Sequence, residues 1–184
     1  MGYKYIRTYT GKEFYPMDPQ PKAIDIRDIA HALSLVCRGN GHVNRFFSVA
    51  QHCINCALEA EARGYSTRVI MACLLHDASE AYLSDITRPV KGSLPEYRRI
   101  EKVLQDAIYA KYISGGLSER ESLIVKRIDD TCLYYEFEHF MGEKLFETAP
   151  QILRLPEYKV RPFKEVEEAF LEMFHETKKL MDEN

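Results

Sequence analysis

The sequence lacks any long hydrophobic run, and this absence bounds the classes of protein to which it can belong. The longest apolar run extends from Val69 to Leu75, whereas a membrane-spanning helix needs roughly 20 apolar residues. The N-terminus also lacks the apolar segment of a secretory signal peptide. We therefore expect a cytoplasmic protein that does not interact with a membrane.

An excess of positive charge is missing as well. Lys and Arg number 25, Asp and Glu number 28, and the formal net charge is −3. Surfaces that bind nucleic acids are built from clusters of Lys and Arg, so we expect no nucleic-acid polymer as a partner. With 46% hydrophobic and 29% charged residues over 184 positions, the composition is that of a compact globular protein.

Cysteine is scarce, and its spacing does not form a zinc motif. The five cysteines include one Cys-x-x-Cys pair, Cys53 and Cys56, and no second pair that would complete a four-sulfur site. On a helix, two cysteines at this spacing are more often small buried hydrophobic residues. An odd number of cysteines fits a reducing cytoplasm.

Apolar residues recur at the spacing of α-helices, and N-terminal caps mark where several helices begin. The capping residues are Asp25, Ser48, Ser66 and Ser118, and both Ser48 and Ser118 open capping boxes. The first of these helices is expected to end at the turn that begins with Gly39. The pattern predicts six helices and an all-α fold.

A single domain is expected to fill residues 1–184, because no repeat, charge block or linker divides the chain. Residues 1–22 are interpreted as an N-terminal arm in which two short segments around a Thr-Gly turn can form a β-hairpin. Residues 84–95 are predicted to be a loop, because prolines and small polar residues interrupt the pattern there. A final amphipathic helix is predicted over residues 163–181.

The stretch from Leu74 to Glu80 is unusual, because a histidine and an aspartate directly follow a buried apolar helix. Burying a charged carboxylate costs several kcal/mol unless a cation or a hydrogen-bond donor compensates it. His76 and Asp77 therefore indicate either a metal site or an unfavourable use of positions at a helix end. If the helix continues, Glu80 lies on the same face as Asp77.

Two further ligand candidates lie on other helices. Adjacent residues on a helix diverge by about 100°, so His76 and Asp77 cannot surround an ion alone. His52 lies in the first turn of the second helix, and a core histidine bonded to a backbone carbonyl is the alternative interpretation. Asp129 lies within a long helix, where a solvent-exposed face is the alternative. The adjacent Asp130 leaves the choice of carboxylate open.

The ordered set His52, His76-Asp77 and Asp129 resembles the metal ligands of the HD-domain phosphohydrolase superfamily. The flanks extend this resemblance, with Ser-Val-Ala-Gln before the first histidine and Ala-Ser-Glu after the His-Asp pair. The run Val-Lys-Arg-Ile before Asp129 resembles the last motif and favours this residue over its neighbour. The similarity covers about residues 25–140, and it is to the small branch with 5′-deoxynucleotidases and deoxynucleoside triphosphate triphosphohydrolases.

The resemblance implies a compact helical HD-domain bundle, a homodimer and one divalent metal held by four side chains. These ligands are His52, His76, Asp77 and Asp129. Histidine ligands favour Mn, Co, Fe, Ni or Zn over Mg, and four protein ligands leave two octahedral positions for a water molecule and a phosphate oxygen. No histidine lies between Asp77 and Asp129, whereas binuclear HD phosphodiesterases take extra ligands from that interval. A single ion is therefore expected.

The same resemblance implies roles for residues around the metal. Glu80 would orient or deprotonate the attacking water, although an exposed carboxylate at a helix end is the alternative for it. Asp85 would handle the proton at the leaving oxygen.

Positive side chains near the motifs are candidates for binding the substrate. Arg38 matches an arginine that contacts phosphate in the nucleotidases, whereas the tryptophan that follows it there is replaced by Gly39 here, and this sequence contains no tryptophan. A solvated cation is the alternative interpretation for each of the remaining candidates, which are Arg45, Arg88 and Lys91.

The sequence as a whole predicts metal-dependent hydrolysis of nucleotide phosphate bonds by an activated water, with (deoxy)nucleoside mono- or triphosphates as substrates. Two alternatives stay open: a catalytically quiet, metal-bound nucleotide sensor, and a structural domain whose His-Asp pair binds nothing. Glu80 and Asp85 argue against the sensor, because a protein that only binds needs no carboxylates for proton transfer.

Overall fold

The structure is a computed structural model that describes residues 4–183. The elements, in chain order, are β1 (Ile6–Arg7), β2 (Glu13–Phe14), α1 (Ile26–Leu35), a 3₁₀ helix (Arg38–Gly41), α2 (Val49–Ala62), α3 (Thr67–Leu74), α4 (Glu80–Leu83), α5 (Arg88–Gly92), α6 (Pro95–Ile113), α7 (Glu119–Met141) and α8 (Phe163–Asp182). The predicted all-α bundle with a short hairpin is confirmed. Among the residues described, no helix combines the length and the apolar character that crossing a membrane requires.

The predicted N-terminal caps are present where the helices begin. The Asp25 side chain accepts a hydrogen bond from the backbone N–H of Arg27 at the start of α1. Ser48 and Gln51 each bond the other's backbone N–H, which completes a capping box at the start of α2. Ser66 caps α3 with one hydrogen bond, which its side chain accepts from the backbone N–H of Val69. Local side-chain chemistry thus determines where these helices start.

Helices α2 and α3 form the centre of the bundle. They pack against each other, and both contact α7 and α8, while α1 packs on α8 and α6 lies against α3. Apolar side chains of α3 such as Met71 and Leu74 are completely buried. The centre of the bundle is therefore where α2, the end of α3 and the middle of α7 meet.

The N-terminal arm contains the predicted hairpin. β1 and β2 pair in antiparallel orientation, with Ile6 opposite Phe14 and Arg7 opposite Glu13. The first three residues of the predicted arm, residues 1–3, lie outside the described part of the chain.

Hydrogen bonds to α1 and a ring stack on α4 help to dock the hairpin on the bundle. The buried carboxylate of Asp28 on α1 accepts hydrogen bonds from the backbone N–H and the hydroxyl of Thr10, at 2.7 and 2.9 Å. Phe14 is fully buried and stacks on Tyr82 of α4, with 3.9 Å between ring centroids. The arm therefore braces α4, the short helix that begins with Glu80.

The first helix ends earlier than predicted. α1 stops at Leu35, because Val36 takes an extended conformation (φ −77°, ψ 120°), and its carbonyl accepts a hydrogen bond from Val49 N–H at 2.9 Å. Long-range pairing with the segment before α2 thus outweighs the local signal of the glycine at position 39. Gly39 instead lies inside the 3₁₀ turn, with φ 57°, a left-handed conformation that favours glycine.

The apolar helix that precedes His76 does not continue to Glu80, so the condition for placing Glu80 on the same helix face as Asp77 is not met. α3 ends at Leu74, and α4 begins only at Glu80. Between them the chain makes tight turns, in which Ala78 N–H bonds the carbonyl of Leu75 and Glu80 N–H bonds the carbonyl of Asp77, both at 3.0 Å. This tighter winding places the His-Asp pair in a turn.

The predicted loop over residues 84–95 contains a short helix. α5 runs from Arg88 to Gly92, with proline in its first turn. A proline is tolerated at the first helical positions, because the N–H that it lacks would have no partner inside the helix. The proline pattern that suggested a loop therefore marks a helix start.

Residues 143–162 have no regular structure and cross one face of α2. Three polar residues of α2 and the residue directly after it bond the backbone of this segment, and they are Gln51, Asn55, Glu59 and Arg63. Asn55, for example, bonds both the N–H and the carbonyl of Glu157, at 3.1 and 3.2 Å. Because residues four positions apart share a helix face, one stripe of α2 holds the connection between α7 and α8.

The capping box of α7 makes a testable contribution to stability. Ser118 Oγ accepts a hydrogen bond from Glu121 N–H at 3.2 Å, and the Glu121 carboxylate accepts one from Ser118 N–H at 2.8 Å. We expect Ser118→Ala to lower the free energy of unfolding by about 1 kcal/mol, as measured by urea denaturation. Ser118→Thr keeps a capping hydroxyl and should lose less. An equal loss in both variants would contradict the capping role.

Candidate metal centre

Three elements bring four potential ligand side chains together at the centre of the bundle. His52 lies in the first turn of α2, His76 and Asp77 lie in the turn after α3, and Asp129 lies in the middle of α7. The His52 side chain is completely buried, whereas those of Asp77 and Asp129 are 21% exposed. The cluster is therefore buried on the histidine side and accessible on the carboxylate side.

The nitrogen and oxygen atoms of this cluster converge on one point. His52 Nε2 lies 3.2 Å from His76 Nε2 and 3.2 Å from Asp129 Oδ1. His76 Nε2 lies 3.3 Å from Asp77 Oδ2 and 3.7 Å from Asp129 Oδ1, while His52 Nε2 and Asp77 Oδ2 are 4.0 Å apart. Ligands held about 2.1 Å from one ion are about 3 Å apart when adjacent and about 4.2 Å apart when opposite. The spacing suits one shared ion.

In both histidines, a hydrogen bond at Nδ1 orients the ring. This nitrogen points away from the centre of the cluster. His52 Nδ1 lies 2.5 Å from Glu136 Oε1, and His76 Nδ1 lies 2.7 Å from the carbonyl oxygen of Cys73. Because both partners are acceptors, each Nδ1 carries the proton. In a neutral ring, each Nε2 then offers a lone pair, which is the usual arrangement of histidines that bind metals.

The charges of the cluster favour additional positive charge at its centre. Burial and Arg38 act to lower the pKa of His52, but Glu136 and Asp129 outweigh them and raise it to about 10. Burial also opposes the charged form of Asp129, yet hydrogen bonds from the two histidines hold its pKa well below the ordinary value. The carboxylates and imidazoles therefore stabilise a cation between them.

Two protons cannot supply that charge easily, because the two Nε2 atoms lie only 3.2 Å apart. If both were protonated, two donors would face each other, and if both were neutral, two lone pairs would face each other. A single proton shared between them as an N–H···N hydrogen bond supplies only half of the charge. A divalent cation between His52 and His76 removes both conflicts and matches the charge of two protons. The residues present thus fit a divalent metal ion.

Two buried cysteines also approach the cluster and, with the histidines and Asp77, form groups that could hold a metal. The Cys56 sulfur lies 3.5 Å from Nε2 and 4.0 Å from Nδ1 of His52, so it sits beside the ring rather than along the Nε2 lone pair. Burial raises the pKa of the Cys56 thiol, which disfavours the thiolate that a metal requires. Cys53 Sγ lies 3.9 Å from Nδ1 of His76, the nitrogen that is already bonded. This geometry agrees with the predicted role of both cysteines as buried small residues.

A cavity of about 920 Å³ opens from the carboxylate side of the cluster. His76, Asp77 and Asp129 form part of its wall. Apolar side chains make up much of the remaining wall, and they include Leu117, Val125, Leu133, Phe137, Phe140 and Phe146. The cavity thus combines charged groups beside the cluster with an apolar lining, which is the usual character of a small-molecule site.

Glu80 lies in this cavity wall and is only 4% exposed. Its Oε1 is 3.5 Å from Lys91 Nζ, while its Oε2 is buried without a hydrogen-bond partner among the residues described. Burial raises the pKa of the Glu80 carboxyl, and the nearby charges of Asp77 and Asp85 raise it further. A carboxylate with a raised pKa accepts a proton readily.

Asp85 lines the same cavity as Glu80. Its Oδ2 accepts a hydrogen bond from the backbone N–H of Gly39 at 3.3 Å. The residue before it, Ser84, ends α4 with φ 71°, a conformation that is uncommon for residues other than glycine. Glu80, at the start of α4, and Asp85, after a constrained turn, therefore line the same cavity. These are the two carboxylates predicted to move protons.

Three of the four predicted cationic residues lie in the cavity wall. Arg38 Nη1 lies 3.4 Å from Asp77 Oδ2, Arg88 Nη2 lies 2.8 Å from Asp129 Oδ2, and Lys91 contacts Glu80. Each cation is thus close to a residue of the cluster or to Glu80.

Arg45 is the exception among the predicted cations. It is exposed and bonds the neighbouring Asn44 at 3.2 Å, and it is absent from the cavity wall within residues 4–183. The short sequence distance between Arg45 and the motif of α2 therefore does not bring its side chain to the site.

The neighbouring carboxylates Asp129 and Asp130 have different partners. Asp129 faces both histidines of the cluster, whereas Asp130 pairs with Lys126 and Arg88, both at 2.8 Å. Their side chains diverge because adjacent residues on a helix are about 100° apart. The geometry agrees with the prediction that Asp129 is the ligand.

Glu136 is the residue of this site that sequence reasoning missed. It lies two helical turns after Asp129 on α7, and therefore on the same face. Its carboxylate bonds His52 and also lies 3.4 Å from Arg38. The signal available in the sequence was a carboxylate two helical turns after a candidate ligand. Its neighbours are the aromatic residues Tyr134, Tyr135 and Phe137.

Comparison with known proteins places this chain in a family. It is 39% identical over 125 residues to "Uncharacterized protein YfdR" of Escherichia coli strain K12, a match that covers 68% of this chain and 66% of that protein. It is 31% identical to "Uncharacterized protein RCAP_rcc00048" of Rhodobacter capsulatus, over 92% of this chain and 93% of that protein. No family model matches the sequence. The chain belongs to the same family as the Rhodobacter capsulatus protein.

Proposed function

We propose that this protein is a metal-dependent phosphohydrolase of the HD-domain type that hydrolyses phosphate bonds of nucleotides. The observation that carries the proposal is the convergence of His52, His76, Asp77 and Asp129 beside a cavity of about 920 Å³, whose wall includes the last three of these residues. Their order along the chain, which resembles that superfamily, supports the same conclusion.

The donor set supports one divalent transition metal as the cofactor. Two imidazoles and two carboxylates suit Mn, Co, Fe, Ni or Zn better than Mg. When bound, such an ion supplies a Lewis acid that activates water and neutralises phosphate charge. The protein supplies the metal ligands, orients the substrate and moves protons.

Glu80 and Asp85 divide the two proton transfers of the hydrolysis. The oxygen of a water molecule forms a bond to phosphorus while Glu80 accepts a proton from that water. The bond between phosphorus and the leaving oxygen breaks, and Asp85 relays a proton from solvent to this oxygen. Oε2 of Glu80 has no hydrogen-bond partner within residues 4–183, and the pKa of this carboxyl is raised; both support the role of proton acceptor.

The cations of the cavity wall bind the phosphate group. Arg38 and Lys91 are held beside Asp77 and Glu80, and Arg88 is held beside Asp129. A guanidinium presents several N–H donors that match phosphate oxygens. Arg38 therefore can bind a phosphate oxygen without leaving its carboxylate partners.

The apolar part of the cavity suits the organic part of the substrate. Its phenylalanines, Phe137, Phe140 and Phe146, are aromatic rings of the kind that pack against a base. Inorganic polyphosphate would leave these surfaces unused. The wall thus supports a nucleoside phosphate as the substrate, whether a mono- or a triphosphate.

The proposal is tested by metal removal followed by a nucleotide panel. The chelator-treated protein should release no product, and added Mn²⁺ or Co²⁺ should restore hydrolysis of at least one nucleoside mono- or triphosphate. Chromatography would identify the products as phosphate, pyrophosphate or triphosphate with the matching nucleoside or nucleotide.

Failure to release any of these products from any nucleotide with any of the five metals would refute the hydrolase. Nucleotide binding that persists without turnover would favour the sensor instead. Absence of bound metal on elemental analysis, together with no metal-dependent nucleotide binding, would favour a purely structural domain.

A further inference from the structure

We propose that Glu136 is a positioning residue of the metal centre, which orients His52 for metal binding and ties it to Arg38. This inference rests on the proposed metal site, but not on the reaction that takes place there. It concerns the bond between Glu136 and Nδ1 of His52, the ring nitrogen that does not face the other ligands.

The contact between Glu136 and His52 is short and buried. Glu136 is 4% exposed and His52 is completely buried, and Oε1 of the carboxylate lies 2.5 Å from Nδ1 of the ring. A carboxylate at this position keeps the proton on Nδ1, so that Nε2 presents its lone pair towards His76 and Asp129. Without that acceptor, the proton can move to Nε2 and block the metal.

The two histidines differ in what orients them. His76 donates to the backbone carbonyl of Cys73, so the path of the chain determines its orientation. His52 depends on a side chain from another helix, Glu136 on α7. A substitution can therefore remove the orienting group of His52 while leaving the orienting group of His76 in place.

The second oxygen of Glu136 links His52 to a different ligand through Arg38. Glu136 Oε2 lies 3.4 Å from both Nε and Nη2 of Arg38, and Arg38 Nη1 lies 3.4 Å from Asp77 Oδ2. A chain of contacts thus joins His52 on α2 to Asp77 after α3. Loss of Glu136 would leave the Arg38 guanidinium without one of its two carboxylate partners, and its orientation next to Asp77 would change as well.

A purely structural role for Glu136 predicts a different result. If it only neutralised the buried charge of Arg38, its loss would lower stability, but the proton of His52 would stay where it is. The position of that proton and the affinity for metal therefore distinguish the two roles.

The test is Glu136→Gln, which keeps the shape and removes the charge. We expect the affinity for Mn²⁺, measured by calorimetry on metal-free protein, to fall about 10–100-fold. The NMR signal of the His52 Nδ1 proton in the metal-free protein should be lost or strongly shifted. Glu136→Asp, which keeps the charge, should recover part of the affinity. Glu138→Gln is the matched control, because Glu138 lies on the same helix, exposed, with Lys144 as its partner at 4.0 Å.

Unchanged Mn²⁺ affinity in Glu136→Gln, or an equal loss in Glu138→Gln, would overturn the inference. If Glu136→Gln does not fold, the wild-type spectrum decides, since a His52 ring without a proton on Nδ1 contradicts the proposed role. Failure of the wild-type protein to bind Mn²⁺ would overturn it as well. The measurements use no nucleotide, so a protein that binds Mn²⁺ but hydrolyses nothing would refute the proposed function and leave this inference standing.

Discussion

Asp129→Asn is expected to abolish stable metal binding and, with it, the hydrolysis of nucleotides. The amide keeps the shape of the side chain, but it removes the negative charge that faces His52 and His76 at 3.2 and 3.7 Å. Because a catalytic metal stabilises the transition state by several kcal/mol, the rate should fall on the order of 10³-fold or more. Elemental analysis and product release measure the two effects. Asp77→Ala should have the same consequences.

Asp130→Asn is the matched control for this prediction. Asp130 is the next residue on the same helix and shares the partner Arg88, but its other partner is Lys126 rather than a histidine of the cluster. The variant should keep the metal and most of the activity. Loss of metal from Asp130→Asn together with retention in Asp129→Asn would reject the ligand set.

Glu80→Gln should keep the metal and lose most of the turnover. Glu80 lies beside the cluster, and its Oε2, which has no partner in the described part of the chain, is the proposed proton acceptor. An amide cannot accept that proton, so we expect kcat to fall by about 10²–10⁴-fold while the metal content is unchanged. Rates at saturating nucleotide, with metal content measured on the same sample, separate the two effects.

Glu96→Gln provides the comparison for Glu80→Gln, because Glu96 is an exposed carboxylate that pairs with Arg99 at 2.7 Å. The Glu96→Gln variant should retain wild-type activity. Full activity of Glu80→Gln would reject the assigned role of Glu80. A loss of metal in that variant would instead show that Glu80 supports the ligands.

Much of the helical framework was predictable, because its signals are local. The capping boxes at Ser48 and Ser118 involve residues only three positions apart, so the sequence contains both partners of each interaction. The hairpin is likewise predicted by a Thr-Gly turn, and its strands pair across only a few residues. Helix ends were less predictable, since α1 ends where Val36 pairs with Val49.

The candidate site was predictable where its residues belong to recognisable sequence motifs. His52, His76, Asp77 and Asp129 were selected by their order and flanks, and the structure brings their atoms together. Their common location depends on the packing of α2 and α3 against α7, and no local pattern encodes that packing.

Other features of the site depended entirely on contacts between distant parts of the chain. Glu136 bonds a histidine 84 positions away, and Arg45 turned out to lie outside the cavity wall despite its proximity in sequence to the second helix. The turn that contains His76 and Asp77 interrupts the helix that could have continued to Glu80.

By itself, the sequence determined the helical class, the helix starts and the side chains able to hold a metal, because caps, periodicity and residue chemistry are local properties. Only the tertiary structure decided which of these side chains face one another, which nitrogen of His52 faces the other ligands and which residues line the cavity. These properties depend on how helices far apart in the sequence pack, and packing is determined by the whole chain at once.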